Sequence, residues 1–281
     1  KAGEYTDDTE QAMALMKSFI RNKKVDSHDV VNEILAWAER VKDKYASPLG
    51  PSTERALKAI KDGADINVSG RYGNTNGSAM RISPVGIIHG LRGSTCEEMV
   101  KDVYLTCLPT HNTTVCVSSA AAIAWGVALC VRGEQDIDFI VKETMRAAEI
   151  GKQYGYPIVS PSISRRVEFV YDIVKKSSDD KETMKELYNY FGGGDLAAES
   201  IPVAIGLFAL GKGNVKLVNE YCVNFGGDCD TNAAMAGAMA GAYSGIEAVP
   251  VEWRETIKKV NGVDFEEFAK QIINLIPEWE C

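Results

Sequence analysis

The sequence predicts an all-α protein. Apolar residues recur at three- and four-residue steps along most of the chain, whereas convincing alternating runs are scarce. Proline, glycine and polar clusters fall between the helical stretches. Met13, Leu15, Met16, Phe19 and Ile20 mark one face of a first helix, and Asp7 with Glu10 three residues on reads as its start. Val30, Val31, Ile34, Leu35, Ala38 and Val41 form a second stripe, with Ser27 as the expected N-cap. Ser94 and Glu97 read as a capping box ahead of Val100, Val103, Tyr104 and Cys107. Further helices are expected near 113–132, 136–150, 164–175, 181–190, 197–210, 213–224, 231–244 and 264–276. The stretch 46–52 (Ala-Ser-Pro-Leu-Gly-Pro-Ser) and the polar joint 177–180 read as connectors. So does 69–77, whose three glycines and two asparagines suit positive φ. No linker is biased enough to divide the chain, so one domain over 1–281 is expected.

Two helices are rich in small residues, 118–124 and 233–242, and read as tightly packed central helices. No run of about 18 apolar residues is evident, so no membrane span is expected. The balance of 31 basic against 39 acidic residues gives a net charge of −8, which argues against a nucleic-acid groove. Seven cysteines without a C-x-x-C spacing disfavour a zinc cage or disulfide framework and suit a reducing cytoplasm. The three histidines, His28, His89 and His111, are too dispersed to suggest a histidine metal site.

The chemistry concentrates in two acidic motifs, Thr6-Asp7-Asp8-Thr9 and Gly226-Gly-Asp-Cys-Asp-Thr231. Each sets two carboxylates and a hydroxyl at the start of a helix. Asp7 and Asp8 either serve the positive end of that helix or form half of an all-oxygen site for a hard cation. Asp230 is not needed as a cap, and Gly226-Gly227 permits an unusual backbone. An EF-hand does not fit, because Ala233 and Met239 stand where its glycine and bidentate glutamate belong. If the fold joins the motifs, four like charges call for a cation, with two ions about 3.5–4 Å apart sharing a carboxylate.

A third stretch, Gly73-Asn-Thr-Asn-Gly-Ser-Ala-Met-Arg81, has neither a P-loop lysine nor a G-x-G-x-x-G spacing. It is either a plain connector or a run of backbone N–H groups that leads into a helix at Ala79 and suits phosphate or ribose. Arg81 reads as an ion-pair partner. His111 is either structural or a hydrogen-bond partner of a sugar or phosphate. Glu199, a charge in an apolar helix, is either paired in the core or reaches the site. The glycines of 192–194 either stop a helix or let a ligand approach.

Taken together, Thr6–Thr9, Asn76–Gly86, Thr110-His111-Asn112, Glu199–Pro202 and Asn224–Ala234 resemble the ADP-ribosylglycohydrolase family. The motifs stand in the family's order and run from residue 6 to about residue 254. The resemblance implies an all-α, single compact orthogonal helical bundle with a binuclear Mg²⁺ (or Mn²⁺) centre. Thr6, Asp7 and Asp8 would ligate one ion, Asp228 and Thr231 the other, with Asp230 shared and Asp8 and Asp230 catalytic. Asn76, Gly77 and Ser78 would face ribose or phosphate, with His111 nearby.

The implied activity is hydrolysis of an N- or O-glycosidic bond of an ADP-ribosyl or related ribosyl substrate, carried on a modified protein in one version. Two alternatives are a catalytically silent ligand-binding or structural relative and a hydrolase of free nucleosides or nucleotide sugars. Two departures stand out. The family's Gly-Asp-Ala-x-Gly helix and following glutamate would lie upstream of Thr6, so the domain is expected to lack that helix. Cys229 replaces the usual threonine between the two aspartates.

Overall fold

In the computed structural model, which describes residues 2–42 and 49–280, the chain is a set of packed helices. Among the described residues β-structure is limited to two isolated bridges, Thr75 with Leu196 and Thr113 with Tyr156. The helices are α1 (Asp7–Asn22), α2 (Ser27–Val41), α3 (Pro51–Lys61), α4 (Ile66–Ser69), α5 (Ser83–Arg92), α6 (Cys96–His111), α7 (Thr114–Val131) and α8 (Ile137–Gly151). They continue as α9 (Ile163–Lys175), α10 (Asp180–Phe191), α11 (Ala197–Leu210), α12 (Val215–Phe225), α13 (Cys229–Ser244), α14 (Val251–Asn261) and α15 (Phe265–Leu275).

One continuous hydrophobic core links these elements. The apolar stripes of α1 and α2 meet through Leu15, Phe19, Ile34 and Trp37, all essentially sealed from solvent. Each such large side chain contributes roughly 1.5–3 kcal/mol by leaving water.

Helix α7 is the hub. Its 18 residues reach a mean hydropathy of 2.0, so a run long and apolar enough to cross a bilayer does exist here, contrary to the sequence expectation. The helix is 89% buried, packed against α5, α6, α8 and α13, which marks it as a core helix. Small residues make that packing possible. A Cβ on Gly86 of α5 would stand 2.5 Å from the Ala124 carbonyl, and one on Gly151 of α8 would stand 2.9 Å from the Ala121 Cβ. Helix α13 is only half enclosed: Met235, Ala236, Met239 and Ala240 are buried, but Ala233, Ala234, Gly237 and Ala238 keep partial exposure.

Several boundaries differ from the sequence reading for identifiable reasons. Asp26, not Ser27, caps α2, accepting from the His28 and Asp29 amides; the Ser27 hydroxyl instead donates to the Leu105 carbonyl. The capping box of α6 is Thr95 with Glu98, because the Ser94 amide is already tied to His89 at the end of α5. Residues 76–78 form a 3-10 turn, and α5 begins only at Ser83. Pro84, which has no N–H, sits in its first turn.

Helix α3 is the second of the two helices that the 46–52 stretch separates, but it starts inside that stretch, at a bound the sequence does not mark. Pro51 opens it at N1, and Ala56 and Leu57 are buried beneath it. Residues 46–48 of that expected connector lie outside the described residues. Helix α14 was not expected, and it buries no side chain fully. The glycines of 69–77 do not take positive φ. They are required by contact: a Cβ on Gly70 would meet the Asn112 amide at 2.6 Å, and one on Gly73 the His111 Cα at 2.8 Å.

Candidate active site

Four segments meet to form the site. Gly226 and Gly227 leave α12 with φ of +83° and +67°, the unusual backbone expected of them. Gly227 has no room for a side chain, since a Cβ there would lie 2.0 Å from the Gly193 carbonyl. The same carbonyl accepts from the Asp228 amide at 2.7 Å. Two glycine segments thus clasp each other and deliver Asp228 to the N-cap of α13, with Asp230 and Thr231 in its first turn. Gly192 does stop α10, so that segment is both a helix stop and a docking strip.

The third segment is 73–78. The Asn76 amide donates to the Asp195 carbonyl at 2.9 Å, the Ala197 amide donates to the Asn74 carbonyl at 3.0 Å, and Asn76 Nδ2 donates to Asp228 Oδ2 at 2.6 Å.

From the other side comes the start of α1. Thr6 Oγ1 donates to Asp8 Oδ2 at 2.6 Å, and Gln11 Nε2 donates to Asp7 Oδ2 at 3.3 Å. Asp8 is 2% exposed, yet its Oδ1 has no hydrogen-bond partner. The carboxylates act on one another. Burial first, then the charges of Asp8, Asp230 and Asp228, push the Asp7 carboxyl up to about 7. Burial likewise raises Asp8, aided by Asp230 and opposed by the hydroxyls of Thr6 and Thr231. Asp228 is pushed up to about 6, chiefly by burial, against hydrogen bonds from Asn76 and Thr231.

Asp7, Asp228, Asp230, Thr231, Asn76 and Gly77 line a polar cavity of about 200 Å³, together with Thr53, Thr75 and Asp195. Asp8 borders a separate apolar cavity of about 280 Å³, walled by Met13, Met16, Met80 and Phe268. The two acidic motifs therefore meet, as expected if they form one site. Their donor set is carboxylate and hydroxyl oxygen with one buried lone oxygen, the chemistry of a hard divalent cation. Among the described residues no three His, Cys, Asp or Glu side chains stand close enough together to hold a metal ion by themselves.

Ser78 and His111 lie deeper than a ligand-facing role requires. Both are fully buried; Ser78 Oγ donates to the Cys116 carbonyl, and His111 meets Thr75 and Thr110. The His111 ring is the floor under Gly77, where a Cβ would come within 3.0 Å of it. Glu199 is half-buried with Oε2 against Gly194, and it does not line the polar cavity. Cys229 heads α13 half-buried and lines neither cavity. Thr53, Thr75 and Asp195 were not singled out from sequence. Thr53 carries no local signal at all, whereas Thr75 and Asp195 sit inside glycine-rich stretches that were.

A helical fold that brings carboxylates from two helix starts to one polar cavity suits a hydrolase. The family sequence model described as ADP-ribosylglycohydrolase matches residues 1–280, and the chain belongs to that family of glycosidic-bond hydrolases. It is 33% identical over 267 residues to the uncharacterized protein YegU of Escherichia coli (strain K12), covering 95% of this chain and 79% of that one. It is 25% identical over 287 residues to ADP-ribosylhydrolase ARH3 of Homo sapiens, covering 92% and 76%. A solved structure titled ADP-ribosylglycohydrolase-related protein complex shares the fold, with a TM-score of 0.72 at 23% identity over 99% of this chain and 83% of that one.

Proposed function

We propose that this enzyme hydrolyses the N- or O-glycosidic bond of an ADP-ribosyl or related ribosyl substrate, free or attached to a protein, with two Mg²⁺ (or Mn²⁺) ions at the joined acidic motifs. The observation that carries this reading is the meeting of four carboxylates and two hydroxyls beside the 73–78 loop, with Asp8 Oδ1 buried and unpartnered. Thr6, Asp7 and Asp8 would hold one ion, Asp228 and Thr231 the other, and Asp230 would be shared. When bound, such ions supply Lewis acidity and make an attacking water more acidic.

The remaining work falls to side chains. Asp8 or Asp230 accepts the proton of the water whose oxygen attacks the anomeric carbon, and the acceptor group leaves with the bonding pair and takes up the proton that the carboxylate then releases. Asn76 holds Asp228 in place by its amide, and Gly77 exposes backbone to the ribose or phosphate. Ser78 and His111 support that loop from below. We place the enzyme in the cytoplasm, where thiols such as the buried Cys107 and Cys116 stay reduced.

The test is a panel of ADP-ribosyl proteins, ADP-ribosyl small molecules, nucleosides and nucleotide sugars, assayed with Mg²⁺ and with chelator. Turnover of an ADP-ribosyl bond that is abolished by chelator and by Asp7→Ala or Asp228→Ala, with helical circular dichroism intact, is expected. Undiminished turnover in both variants without bound metal overturns the proposal.

A further inference from the structure

Arg81 is fully buried, yet its hydrogen-bond partners are neutral. Nη1 donates to Gln11 Oε1 and Nη2 to Thr110 Oγ1, both at 2.6 Å, while Nε has no partner. Its through-space influences are Cys107 first and then one carboxylate, Asp7, which makes no hydrogen bond to it. A buried cation held this way carries a substantial desolvation cost, so what it orders merits tracing.

The Thr110 hydroxyl has the guanidinium on one side and His111 Nδ1 at 2.8 Å on the other. A guanidinium only donates, so the Thr110 oxygen accepts from it. The hydroxyl hydrogen then goes to Nδ1, the one acceptor it meets among the described residues. With Nδ1 accepting, a neutral ring carries its hydrogen on Nε2 and donates it to Thr75 Oγ1 at 3.1 Å. Burial and the neighbouring guanidinium both hold His111 well below the ordinary imidazole range, which keeps the ring neutral. Thr75 Oγ1 is thereby occupied as an acceptor. Its own hydrogen finds no acceptor among the described residues, and Thr75 lines the polar cavity.

We propose that Arg81 is a positioning residue that polarises the chain Arg81, Thr110, His111, Thr75 in one direction. The Thr75 hydroxyl thereby becomes a fixed hydrogen-bond donor to a phosphoryl oxygen of the ligand. A phosphoryl oxygen only accepts, so it suits a fixed donor, whereas a ribose hydroxyl can play either part. The identity of the ligand rests on the function proposed above; the direction of the chain does not.

The experiment has two arms. The first is ring ¹⁵N NMR of the ligand-free protein, which has only three histidines. His111 is expected as the Nε2–H tautomer in the wild type, with the Nδ1–H form appearing in Arg81→Met; Nδ1–H in the wild type overturns the proposal. The second arm measures binding of ADP-ribose and of adenosine, which has no phosphate. Thr75→Val is expected to weaken ADP-ribose about tenfold, roughly one hydrogen bond to a charged group, and Thr75→Ser to restore it. Adenosine affinity should be the same in all three proteins. Unchanged ADP-ribose affinity in Thr75→Val, or an equal loss for adenosine, overturns the donor role. A wild type that binds no ADP-ribose counts against the proposed function, while the ring tautomer still decides the chain. If Arg81→Met does not fold, the wild-type tautomer and the Thr75 pair decide it.

Discussion

Neutralising Asp7 should stabilise the metal-free protein at neutral pH. Its carboxyl is raised from 3.8 to about 7, and at about 1.4 kcal/mol per decade this corresponds to about 4 kcal/mol. Part of that figure is repulsion shared with Asp8 and Asp228, and Asp7 keeps some contact with water, so about 2–4 kcal/mol is a realistic range. The sign follows from linkage. A carboxyl whose folded value is raised binds more protons folded than unfolded, so its favourable contribution is present below pH 3.8. That contribution is lost as pH rises through about 7.

Asp7→Asn removes this loss while keeping the shape of the side chain. Denaturant unfolding in chelator at about pH 7.5 should therefore show the variant more stable than wild type, with the gap narrowed by more than half at about pH 5 and closed only near pH 3.8. Excess Mg²⁺ should reverse the order, because a ligand that binds only the folded state adds RT ln(1 + [L]/Kd) to the wild type. Equal stability at both pH values, or a metal-free Asp7→Asn less stable at pH 7.5, would refute the argument that the carboxylates are mutually strained.

Other consequences are more local. Gly227→Ala places a Cβ 2.0 Å from the Gly193 carbonyl at φ +67°, so a loss above about 3 kcal/mol is expected. Gly226→Ala meets open space but keeps φ +83° and ψ −171°, a backbone essentially reserved for glycine, and should cost about 1–3 kcal/mol; thermal melts of the pair separate backbone conformation from contact. Thr95→Ala removes the α6 capping box and should cost about 1 kcal/mol in denaturant unfolding without changing turnover. Gly77→Ala presses on the His111 ring from 3.0 Å. A fall in ADP-ribose affinity is expected there, with unfolding free energy within about 1 kcal/mol of wild type.

Much of this was readable in the sequence because the information is local. Amphipathic stripes placed α1, α2, α8 to α10 and α12 within a few residues, since a buried face must repeat with the helix, and α11 was marked by its apolar run. The two acidic motifs were visible because each compresses its oxygen donors into a few positions. What the sequence hid is what depends on distant partners. Pro51 and Pro84 look like breakers until their position in a first turn is known. The glycines of 69–77 look like turn formers, but their need arises from the His111 segment, some 40 positions on. Thr75 and Arg81 are unremarkable locally and acquire meaning only through Thr110 and His111. The 18-residue apolar run of α7 reads as a core helix only through its neighbours, since the small side chains of Ala121 and Ala124 let α8 and α5 approach closely.

On the function proposed above, the two acidic motifs together bind a pair of divalent ions. Mn²⁺ titration of chelator-stripped protein, followed by electron paramagnetic resonance, tests it directly. Two ions per chain with a spin-coupled signal, lost in Asp230→Ala while helical content persists, is the expected result. No binding by the wild type, or identical uncoupled binding in Asp230→Ala, would contradict it.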